Sequence, residues 1–151
     1  MKKTTAHGRK LARGTGWQKG DALSIGVYRA CKIAPEDREM VVKPARLALD
    51  AMRQGRATEN DWLMLASVVR VAQAIEKQAI VSGLQAHIDS ARQALQAIYD
   101  RAMRAEGWVP GALYAPELHA ITEMVRLHKF QIDQLGRGEL ITALDATRAD
   151  L

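Results

Sequence analysis

The sequence predicts an all-α fold: an antiparallel helical bundle of three long helices plus one or two short ones, with a flexible basic N-terminal arm. Three observations lead there. Alanine is abundant and only four prolines occur, a composition that favours helix. Three stretches place apolar residues at alternating spacings of three and four, the period of a helix face. Charge is also segregated. Residues 1–20 hold Lys2, Lys3, Arg9, Lys10, Arg13 and Lys19 and no acid, whereas the other basic residues nearly balance the 17 acids. The formal net charge of +5 therefore belongs to the arm and not to the body.

A chain of 151 residues suits a single domain, read as an arm over 1–20 and a bundle over 21–151. At this length roughly 70% of the unfolded surface is buried on folding, so a core forms without staples. Cys31 is the only cysteine, which rules out an intrachain disulfide and fits a reducing compartment. No apolar run approaches the ~18 residues a membrane span needs. The arm is basic and acid-free like a mitochondrial presequence, but its glycines and lack of an apolar face argue against that, and it lacks the apolar core of a secretory signal. The expectation is a cytoplasmic protein with no membrane partner.

The arm, "KKTTAHGRKLARGTGWQKG", has few apolar residues and no helical or strand rhythm. Such a segment cannot bury enough surface to offset the entropy of ordering. Next, "DALSIGVYRACKIAPEDREMVVKPAR" suits either of two states. Asp21 fits the cap of a short helix reaching Cys31, while Gly26 and its β-branched neighbours fit extended chain. Pro35 followed by Glu36 and Asp37 reads as a helix start, with acids at the positive end of the dipole. Pro44 is then expected to bar a continuous helix and to open its own over "PARLALDAMRQG". Leu47, Ala48, Ala51 and Met52 make the apolar face there, and Gly55 closes it in a left-handed conformation.

"TENDWLMLASVVRVAQAIEKQA" is the clearest core helix. Thr58 is its cap, with Glu59 and Asp61 in the first turn. Leu65, Val68, Ala72, Ile75 and Ala79 form one stripe, and Trp62, Ala66 and Val69 a second. Only Ser67, Arg70, Gln73 and Lys77 remain as a narrow wet face, so this helix should sit centrally. "SGLQAHIDSARQALQAIYDRAMRAEG" follows, with a Ser82–Gln85 capping box, and a heptad seam of Leu84, Ile88, Ala91, Leu95, Ile98 and Ala102. Asp100 and Arg104 are spaced to pair, and Gly107 ends the helix. Pro110-Gly111 marks a turn. Pro116 opens the third long helix, whose seam is Leu118, Ile121, Val125, His128, Ile132 and Leu135, and Gly136 ends it. "GELITALDATRADL" predicts a short final helix burying Leu140, Ile141 and Leu144.

The chemistry-bearing residues are sparse. Gly14, Gly16 and Gly20 miss the spacing of a phosphate loop, and no strand precedes them. His119 and Glu123 share a face four residues apart and His128 follows, but two ligands are half a metal site and no second cysteine completes it. The bland reading is an exposed i, i+4 pair. Cys31 reads as an ordinary small residue rather than a nucleophile. No hydrolase elbow occurs. No catalytic residue, cofactor or metal is expected, and the protein is read as a non-enzyme. Arg9, Lys10, Arg13 and Trp17, with Lys2, Lys3 and Lys19, suit flexible phosphate contact with one stacking ring. Trp108 and Tyr114 flank the Pro110-Gly111 turn, where two large amphipathic rings suit a protein partner. His128 stands where its seam asks for an apolar residue. It should be buried and neutral, leaving Glu123, Arg126 and Lys129 as the outer face for a partner.

The basic arm, "PARLALDAMRQGRATENDW", the Ala-rich helix ending "YDRAMRAEGW", and "RGELITALDATR" together resemble small helical proteins encoded by proteobacterial phages, prophages and plasmids. The resemblance spans roughly residues 40–148 and transfers no catalytic residue. It departs in "YDRAMR", where a plainer "RYER" is more usual. It implies a mobile-element accessory protein. Two functions follow as expectations: binding of protein (itself, a host factor or a defence component), or binding of nucleic acid by a regulator or packaging accessory through the arm.

Overall fold

The computed structural model describes residues 19–104 and 106–149. The chain is all-α. Its helices are α1 (Lys19–Ala30), α2 (Pro35–Arg53), α3 (Glu59–Lys77), α4 (Gln85–Ala102), α5 (Ala115–Gln134) and α6 (Arg137–Ala149). Two short strands, β1 (Met103–Arg104) and β2 (Gly107–Trp108), pair antiparallel between α4 and α5. Four helices run 18 to 20 residues, where three were expected.

The extra long helix arises at Pro44, which lies inside α2 instead of starting it. An interior proline forfeits one backbone hydrogen bond and crowds the carbonyl four residues back, at a cost of about 3 kcal/mol. Val42, Ala45, Ala48, Leu49 and Met52 are all buried on one side of α2. Their burial offsets the proline's cost and lets the helix continue through it, since each large apolar side chain contributes about 1.5–3 kcal/mol. Met40, whose carbonyl loses its donor, sits on the outer face at 68% exposure. Leu47 lies one heptad on and shares that outer face, so it is exposed and not part of the apolar side.

The central position expected for α3 is observed: it packs against α2, α4, α5 and α6. Thr58 caps it, its Oγ1 accepting from Asp61 N at 3.3 Å while Asp61 Oδ2 accepts from Thr58 N at 2.7 Å. The stripe of Leu65, Val68, Ala72 and Ile75 is buried. Ala79 does not extend it, because α3 stops at Lys77 and Ala79 turns at φ +58°. The Ser82–Gln85 capping box does not form, since α4 starts only at Gln85. Glu76 of α3 takes that role from outside, accepting from Gly83 N at 2.7 Å and Leu84 N at 3.1 Å.

Along α4, Ile88, Ala91, Leu95, Ile98 and Ala102 are buried as the heptad requires. The helix ends five residues before Gly107, because the chain reverses into the β1–β2 hairpin with Gly107 at φ +109°. Arg104 therefore sits on a strand, donating to the Arg101 carbonyl at 2.9 Å, while Asp100 accepts from Gln96. The Asp100–Arg104 pair is not made. In α5, Ile121, Val125, His128 and Ile132 are buried, and Leu135 beyond its end is buried too. In α6, Leu140 and Ala143 point inward and Ile141, one step round the helix, is 41% exposed.

Hydrogen bonds fix the relative directions. The Trp62 indole N–H donates to the Leu95 carbonyl and Gln73 meets Gln85, so α3 and α4 run oppositely. Arg70 to Thr147 and Gln78 to Glu139 do the same for α3 and α6. Among the described residues, no helix is long and apolar enough to cross a membrane.

Candidate functional site

Of the arm residues, Lys2, Lys3, Arg9, Lys10, Arg13 and Trp17 lie outside the described residues. Lys19 opens α1, so regular structure begins before the expected boundary at residue 20.

The two rings flanking the turn have different surroundings. Trp108 is half-buried, and its indole N–H donates to the Ala57 carbonyl at 2.8 Å. Its ring lies 6.4 Å from Tyr99, which lies 4.8 Å from Trp62, so Trp108 ties the hairpin onto the α2–α3 turn. Tyr114 is 63% exposed, with the Arg101 guanidinium 4.5 Å above its ring. Arg101 also makes two 2.6 Å bonds to Glu117, which hold that carboxyl below its ordinary range against a smaller desolvation effect.

On α5, the exposed residues are neutralised within the face itself. Arg126 grips Glu123 at 2.7 Å, and this hydrogen bond holds the Glu123 carboxyl below its usual range. Lys129 reaches Asp133 at 2.5 Å. Glu123 thus bonds Arg126 and not His119. His119, His87 and Glu123 line an open groove of about 540 Å³ between α4 and α5. Among the described residues, no three His, Cys, Asp or Glu side chains are placed to hold a metal ion. Cys31 is exposed just beyond α1.

The surface feature that sequence reasoning passed over is α1. The segment left open between helix and extended chain is helical over twelve residues. Every described side chain on it is exposed, including Ile25 at 44%, Val27 at 57% and Tyr28 at 55%. It packs on α6. Cys31 and Lys32 pair with Gly136 and Arg137, the Arg137 guanidinium covers Tyr28 at 4.8 Å, and Arg29 reaches Thr142 at 3.5 Å. Gly138 permits this approach, because a Cβ there would lie 2.8 Å from Arg29 Cβ. The signal was in "LSIGVY", whose apolar residues have no consistent face to bury.

The fold and these surfaces define an all-α protein whose first helix offers apolar side chains outward. No known protein family, curated protein or solved structure matches the chain.

Proposed function

We propose that this chain is a non-enzymatic accessory protein of a phage or plasmid that acts by binding protein: itself, a host factor or a defence component. In this reading a flexible basic arm over residues 1–20 precedes an antiparallel bundle over 21–151 that works in the cytoplasm. One observation carries the reading. The twelve-residue α1 leaves Ile25 and Val27 in water. An isolated helix of that length is marginal, and most helical stability comes from packing an apolar face. A partner covering both side chains, each about half exposed, would gain about 1 kcal/mol from each. Tyr114 and the Glu123, Arg126 and Lys129 face stand as further contacts. Pull-down from the native host at moderate salt, combined with light scattering for self-association, tests this. Wild type should capture a partner or self-associate, and Ile25→Asp with Val27→Asp should abolish that. Capture untouched by the double variant would remove α1 from the interface, and a solitary monomer without partners would end the reading.

The arm's concentrated charge favours a second reading, nucleic-acid binding in regulation or packaging through Lys2, Lys3, Arg9, Lys10, Arg13, Trp17 and Lys19. Salt separates the two, since phosphate contact weakens steeply as salt rises and apolar contact does not.

A further inference from the structure

The wet face of α3 meets something other than bulk water. With α6 on one side and α4 on the other, it becomes the floor of an open groove of about 380 Å³. Arg70, Gln73 and Lys77 come from α3, Arg92 from α4, and Thr142 and Thr147 from α6. No carboxylate lines this groove.

Most arginines of the described surface are paired with a carboxylate, such as Arg38 with Asp133 and Arg137 with Asp37. The groove differs. Arg70 donates to the Thr147 carbonyl at 2.7 Å, in the last turn of α6, so it is held by the negative end of that helix dipole and by no carboxylate among the described residues. Lys77 is exposed and has no hydrogen-bonded partner among the described residues. Arg92 is held by Asp89 at 2.9 Å and by Gln73 at 3.0 Å, so it adds donors more than net charge. At the rim, Arg29 of α1 reaches Thr142 without a carboxylate of its own.

We propose that this groove seats the phosphodiester backbone of a single nucleic-acid strand. Arg70 and Lys77 stand two turns apart, about 10 Å along the helix axis, so each can meet a different phosphate of one chain. Gln73, Thr142 and Thr147 supply neutral polar groups between them, suited to sugar and phosphate oxygens. The lining has no aromatic ring to stack on a base, so the contact is to phosphate and sugar and carries no sequence information. α1 packs on α6, which is one wall of the groove and brings Arg29 to its rim. The inference is independent of the protein-binding reading, which uses other side chains.

The test follows anisotropy of a fluorescein-labelled oligothymidylate of about twenty nucleotides against the full chain over a salt series. Lys77→Glu is chosen because Lys77 makes no bond that folding needs. It should weaken binding about tenfold at low salt and lower the slope of log K against log salt by about 0.7 or more. Lys77→Gln should act in the same direction at about threefold. Lys43→Glu, the same charge change on α2 outside the groove, should do less than either. The proposal is overturned if Lys43→Glu matches Lys77→Glu, if both Lys77 variants bind like wild type, or if wild type binds no oligonucleotide. It is also overturned if sodium tripolyphosphate displaces the strand at equal phosphate concentration, which would assign the groove to a small polyanion.

Discussion

His128 shows how a single residue carries a pH dependence. It is 2% exposed, and its Nδ1 has no hydrogen-bond partner among the described residues. Burial strips water from the imidazolium and pushes the pKa down to about 4. A depressed histidine pKa means that the unfolded state binds more protons. The neutral ring is therefore fully tolerated above about pH 6.5, and stability falls as pH drops from there towards 4. At pH 5 the loss from this group is about 2 kcal/mol. His128→Leu should remove that loss, so its advantage over wild type in denaturant melts should be larger at pH 5 than at pH 8. An NMR titration placing the His128 pKa at or above 6.5 would contradict the assignment. Its neighbour Gln131 is also buried, and only its amide nitrogen is satisfied, by the Ala72 carbonyl at 3.2 Å.

Among the elements, α2 and α1 are instructive opposites. α2 tolerates an interior proline because its buried side outweighs the missing bond. Pro44→Ala restores the N–H facing the Met40 carbonyl and should raise stability by about 1–2 kcal/mol, seen as a Tm higher by a few degrees. An unchanged or lower Tm would mean that Pro44 earns its place by packing. α1 depends on close approach to α6 at a glycine. Gly138→Ala forces Arg29 away, so proteolysis within α1 should accelerate while the main melting transition stays nearly constant. A large fall in Tm would show that α1 belongs to the cooperative unit.

For the whole molecule, the question is whether the arm is a tether or a structural part. Six cations in twenty residues with no apolar periodicity point to a tether. Deleting residues 1–18 should leave the melting temperature within about two degrees of wild type and remove most retention on DNA or RNA columns. A sharp loss of stability would show a structural segment instead. EDTA should leave the far-ultraviolet circular dichroism unchanged; stoichiometric zinc or iron in natively purified protein would refute that.

The α3, α4 and α5 seams were legible because helical periodicity is a local property, and burial followed it inside each helix, failing at the ends, where Ala79 is exposed and Leu84 and Leu118 are half-buried. Thr58 and His128 were legible for the same reason, since a cap and a seam position are defined by neighbours in the chain. Pro44 was misjudged because its local penalty was visible, while the core that outweighs it is assembled from other helices. The Ser82 cap and the end of α4 were misplaced because Glu76 and the β1–β2 hairpin decide them from elsewhere in the chain. Segregation of charge into the arm could be counted directly. That Arg70 and Lys77 share a groove with Thr142 and Thr147 could not, because α6 joins them only by folding back across α3.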